Sequence, residues 1–223
     1  LKALESDLKA VSTSAQSGSV GFGKLVGAIG LGNLAADAAK MAVGSLGNVL
    51  RSSIDEAMEY QRSQAQLTAA LNSTGHAAGL TRDQLNDMAG RLSNLTAIDD
   101  DVIAGAQAML LTFTNIKADA FEPATQAVLD MATAMNSGGI PSAEQLKSTA
   151  IMLGKALNDP IQGVNALQRA GVSLTKGQED LIQKMVKAGN TMGAQKIVLD
   201  ELRTEFEGSA AAAALTFEGR ISK

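Results

Sequence analysis

At three predicted turns in this chain a Ser or Thr is followed three residues later by Gln and then by apolar residues at helical spacing. Thr81 precedes Gln84, Ser142 precedes Gln145 and Thr175 precedes Gln178. This is the capping-box pattern. The hydroxyl accepts from a backbone N–H in the first turn, and the Gln side chain returns to the N–H of the cap. Each cap is worth about 1 kcal/mol, so its value here lies in marking a boundary. Leu85, Met88, Leu92 and Leu95 follow the first box on one helical face. Leu146, Ile151, Leu153 and Leu157 follow the second, and Leu181, Ile182, Met185 and Val186 the third. Asp99 marks a fourth start, ahead of Val102, Ile103, Ala106, Met109, Leu110 and Phe113. A chain punctuated in this way is constrained to short helices joined by tight turns. Period-two strand patterning is lacking, since Val172-Ser173-Leu174 is the nearest candidate and is too short.

The stops fit the same scheme. Glu122 to Met135 is predicted to be helical with Pro123 in its first turn, and Asn136-Ser137-Gly138-Gly139 ends it. Pro160 breaks a helix after Asn158-Asp159, because its ring excludes the geometry of the preceding turn. A short helix from Ile161 to Ala170 then closes on Gly171 as its cap. Thr191 to Glu207 carries Met192, Leu199, Leu202 and Phe206 nearly in heptad register. Upstream, residues 45–73 read as one long helix with Leu46, Leu50, Ile54, Met58, Ala65, Leu67 and Leu71 on its apolar side. Residues 17–50 are Gly/Ala-rich and apolar. There Gly23 with Gly27 and Ala28 with Gly32 form small-x-x-x-small pairs that let helix backbones approach closely. Residues 1–16 read as the end of an amphipathic or coiled-coil helix. The expected architecture is all-α: a cluster of short helices within a 51–207 domain, preceded by a long helix and the Gly/Ala-rich segment. Residues 208–223 are expected to form an Ala-rich extension, because Ala210 to Ala214 favour helix yet have little to bury.

Composition narrows the chemistry. Aromatics make up 3% of the chain, so small side chains must carry the packing, and modest stability aided by homo-oligomer formation is expected. With no Cys and one His, most zinc sites and Ser-His or Cys-His machinery drop out. His76 lies in a Gly/Ala turn and reads as a surface histidine. Asp99-Asp100-Asp101 lacks the spaced oxygens and glycine of a calcium loop, and reads as a helix start. Gly21-Phe22-Gly23-Lys24 does not match a phosphate loop. Glu122, Glu144 and Glu179 sit near helix starts, where carboxylates belong without any catalytic role. No cofactor and no metal are expected. A net charge of −4 speaks against sequence-specific nucleic-acid binding. A bilayer span needs about 20 nearly uncharged residues. Asp37 and Lys40 interrupt the apolar segment, which favours a close-packed oligomer helix over insertion. The chain opens on Leu1 without a secretory signal pattern and reads as a fragment or a processed product.

The run Leu153 to Gln178, LGKALNDPIQGVNALQRAGVSLTKGQ, resembles a segment of phage and prophage tail tape measure proteins. A pattern GKALNDP-x-x-G-x-x-AL-x-R-x-GVS-x-T recurs in that family. The likeness extends over about Arg51 to Arg220. It implies a structural, non-enzymatic component of a phage tail that sets tube length and takes part in genome ejection through the host envelope. It also implies tail tube and tail tip or baseplate proteins as partners. The implied location is the tail lumen, after assembly in the host cytoplasm, with contact to the host inner membrane on ejection. Under this reading Gly23, Gly27, Ala28 and Gly32 serve helix association. Leu199, Leu202 and Phe206 form an oligomer seam or pack on the bundle. Pro160 and Gly171 fix the bend. Two other classes compete: a membrane-active pore-forming helical protein, and an all-α cell-wall hydrolase.

Overall fold

The computed structural model describes residues 58–216. The readings made for residues 1–16 and 17–50, including Gly23, Gly27, Ala28 and Gly32, lie outside the described residues. So do those for the first part of the long helix and for the tail beyond Thr216. The chain divides into two units between Met58 and Glu59, and all the helices labelled below belong to the second. Residues 58–73 are helical. Eight helices follow: α1 (Arg82–Leu95), α2 (Asp100–Leu111), α3 (Ala118–Met135), α4 (Ala143–Asn158), α5 (Pro160–Arg169), α6 (Lys176–Lys187), α7 (Thr191–Phe206) and α8 (Ser209–Ala214). There is no strand among the described residues.

Local chemistry sets most boundaries. All three capping boxes form. The Thr81, Ser142 and Thr175 hydroxyls accept from the N–H groups of Gln84, Gln145 and Gln178 at 3.2, 3.3 and 3.3 Å. The Gln side chains accept in return from the cap N–H groups at 2.9, 2.8 and 2.8 Å. Helix ends are as regular. At the stop after residue 73, His76 N–H donates to Leu71 O and Gly75 N–H to Asn72 O. The same pair of bonds, one spanning five residues and one spanning three, closes α3, α5 and α6. This is the Schellman arrangement, which needs a left-handed residue just past the helix. Gly75, Gly171 and Gly189 fill that position at φ +59, +102 and +80°, and after α3 the non-glycine Ser137 does so at +58°.

Helix α3 is the hub, packing against α2, α4, α7 and α8. Most of its side chains are buried, including Phe121, Val128, Leu129 and Met131 at 0% exposure. A helix buried on so many sides must hide its own polar groups. The Thr125 and Thr133 hydroxyls do so by donating back to Phe121 O and Leu129 O at 2.9 and 2.8 Å.

Several expectations require correction. Helix α3 begins at Ala118 rather than Glu122, so Pro123 lies inside the helix, not in its first turn. Burial of Ala120 and Phe121 draws the chain into helix ahead of the proline, whose missing N–H deprives only the Asp119 carbonyl. Asp99 occupies the cap position of α2, but its side chain makes no capping hydrogen bond. Leu95, Ile151 and Leu181, each placed on an apolar face by spacing, are 64%, 38% and 44% exposed. Residues 209–214, expected as an outgoing extension, form α8 and pack back on α3.

Candidate functional site

The run Leu153–Gln178 folds into a corner, and most of its distinctive residues have a packing task. Helix α4 ends at Asn158 and α5 begins at Pro160, so Asp159 alone joins them. Asp159 closes the first helix with its N–H, which donates to Lys155 O. Its carboxylate opens the second by accepting from Gln162 N–H at 3.3 Å. Pro160 is the first residue of α5, where a missing N–H costs nothing, and it is buried. One glycine lets the two rods cross closely, and a second makes room for a ring from outside them. A Cβ on Gly163 would lie 2.8 Å from Ala156 Cβ and 2.9 Å from the Ala156 carbonyl carbon. A Cβ on Gly154 would enter the Phe113 ring, 3.0 Å from its Cγ. The motif's Gly-x-Ala and the later Gly are thus the places where α4 admits a ring and α5 touches the α4 backbone.

Amides tie the corner to its surroundings. Asn115 Nδ2 donates to Asn158 O at 2.8 Å, and the Asn115 N–H donates to Asn158 Oδ1 at 3.2 Å. Gln195, 2% exposed, reaches in from α7. Its Nε2 donates to Leu157 O and to Asn115 O, both at 2.9 Å. Leu157 O is one of the last carbonyls of α4 and has no partner along its own helix. Past α5, Gly171 turns the chain, Val172 and Leu174 are buried, and Ser173 N–H donates to Glu205 Oε1 at 2.6 Å.

Leu199 and Leu202 are 9% and 1% exposed in α7, and Phe206 packs on the same core. Leu199 and Leu202 also line a groove of about 300 Å³ between α3 and α7. Ala120, Pro123 and Ala127 form its other apolar wall, and Met192 stands at its rim, 51% exposed. Lys196 and Arg203 on the α7 side both approach Asp200, at 3.1 and 3.7 Å.

Glu122, Glu144 and Glu179 stand in three different helices, and none lines this groove. Glu122 pairs with Arg91 at 3.0 Å, both largely exposed, and Glu179 lies 3.8 Å from Lys176. His76 is exposed in its turn at φ +56°. Among the described residues, no group of three His, Cys, Asp or Glu side chains is placed to hold a metal. The important polar residues that sequence reading misses are Gln195 and Asp130. Each interrupts a buried apolar stripe, Gln195 beside Ala194 and Val198, Asp130 between Leu129 and Met131. Most buried polar side chains meet a partner, which was the available signal, although Gln107 in α2, 0% exposed, has none for either amide atom.

Taken together, these residues define an all-helical protein, whose most distinctive segment is devoted to shape. A family model for prophage tail length tape measure protein matches residues 22–183. The chain belongs to this family, and is therefore a tail length determinant that associates with other phage tail proteins. The match begins earlier than the likeness read from the motif, inside the Gly/Ala-rich segment, and ends earlier, within α6. No curated protein and no solved structure matches the chain.

Proposed function

We propose that the chain acts mechanically in a phage tail, fixing tube length during assembly and helping the genome through the host envelope on ejection. The family match over residues 22–183 carries this reading. The corner supports it, since the motif residues in contact there serve to join helices and turn the chain. In this account the extended helical parts of the protein act as the ruler, and the 59–216 cluster is a folded station along it. The Gly/Ala-rich segment, with Gly23, Gly27, Ala28 and Gly32, supplies close helix association between copies and contact with the inner membrane on ejection. No helix among the described residues is long and apolar enough to cross a membrane, so that contact is assigned to the segment and not to the cluster.

The test is tube length. Inserting helical residues into the extended parts of the whole protein should lengthen assembled tubes by about 1.5 Å per residue, read by electron microscopy. Tubes of unchanged length would remove the ruler role. Gly27→Asp should leave tube length as it is and lower genome release.

A further inference from the structure

We propose that α8 is a detachable strap, clasped by the buried carboxylate of Asp130, which opens independently of the domain and lengthens the α3–α7 groove when it does. This stands apart from the tail function and would hold whatever the chain's role.

The strap is weak by composition. It is the six-residue helix Ser209–Ala214, with alanine at every position after the serine. A helix this short does not hold itself together in water, because nucleation is unfavourable and few bonds follow it. Packing must therefore hold it, yet only Ala210 and Ala213 are buried, each contributing a single methyl. Its outer face, Ala211, Ala212 and Leu215, is exposed, Leu215 by 74%. Helix α7, just upstream, is fixed by Val198, Leu199 and Leu202 and by Gln195, whose amide bonds to two other elements.

The clasp is a single side chain. Gly208 reverses the chain at φ +85° and occupies the cap position of α8 without any side-chain bond. Asp130 on α3 replaces the missing cap from a distant part of the sequence. Its Oδ1 accepts from Ala210 N–H at 2.9 Å, and its Oδ2 accepts from Gln126 Nε2 at 2.9 Å. A carboxylate at a helix start also meets the positive end of the helix dipole. Asp130 is 2% exposed, so losing Ala210 admits water to a group that is otherwise enclosed. Asp130 and Glu207 both line the α3–α7 groove, so the groove ends where the strap begins. Lifting α8 extends the groove and gives it a polar, hydrated end.

Hydrogen exchange on the whole chain tests this. In the parent protein, amides of residues 210–214 should exchange through an opening insensitive to low urea, while those of α4 follow global unfolding. Asp130→Ala should speed exchange in α8 about tenfold or more, leave α4 amides unchanged and barely move the melting temperature. Asp130→Asn keeps a carbonyl acceptor and should recover most of the protection. Gly208→Ala, strained at a positive φ, should also loosen α8 alone. The proposal is overturned if α8 and α4 amides quicken together in these variants, if α8 exchange in the parent tracks global unfolding, or if Asp130→Ala changes neither.

Discussion

Replacing Gly163 by alanine adds one methyl group where α5 crosses α4. Two effects of opposite sign follow. In a helix interior alanine is better than glycine by about 1 kcal/mol. Against that, the new Cβ would stand 2.8 Å from Ala156 Cβ and 2.9 Å from the Ala156 carbonyl carbon. The Ala156 Cα would stand closer still, and carbon atoms pack comfortably at about 3.5–4.0 Å, so the rods must part by roughly 1.5–2 Å. They have little freedom to do so while the domain stays packed, because Val164 and Leu167 hold α5 in the core. Overpacking of this kind costs about 1–3 kcal/mol, and with backbone as the obstacle the upper half of that range applies. The net expectation is a loss of about 1–2 kcal/mol, lowering the melting temperature by roughly 2–8 °C for a domain of this size. Gly90, inside α1, is the matched control: nothing lies within 4 Å of its added Cβ. Gly90→Ala should gain about 1 kcal/mol. Both variants are compared with the parent by urea titration and thermal melting. If Gly163→Ala melts at or above the parent, the close approach does not constrain the corner and the reasoning fails.

Gln195→Met keeps the length of the side chain but deprives Leu157 O and Asn115 O of their shared donor, and should cost about 2–3 kcal/mol in urea at unchanged m. An unchanged midpoint would mean that both carbonyls find water. Thr175→Ala removes the hydroxyl of the third capping box and should lose about 1 kcal/mol, whereas Thr175→Ser should lose less than half of that. Equal losses would show that the methyl, not the hydroxyl, matters there.

The parts of the fold legible in the sequence are those decided within four or five residues. Thr81 with Gln84, Ser142 with Gln145 and Thr175 with Gln178 each complete their own geometry, whatever packs nearby. Gly171 at φ +102° is equally local. The start of α3 was hidden because Pro123 obeys a local rule that the burial of Phe121 overrides. The return of α8 was hidden because its anchor, Asp130, lies 80 residues away. The resemblance in Leu153–Gln178 pointed to the family but not to the reasons for its glycines. Those depend on Phe113 and Ala156, which become neighbours only once the helices cross.

The single-residue joint at Asp159 has a consequence for a protein under pull. Helices of 16 and 10 residues meet there with no slack between them. Laid end to end they would reach about 39 Å. Tension along the polypeptide would therefore act on the crossing as on a hinge, levering Gly163 away from Ala156 while each rod keeps its own terminal bonds. Reach can thus be held in reserve at such an elbow and let out without unwinding a single turn.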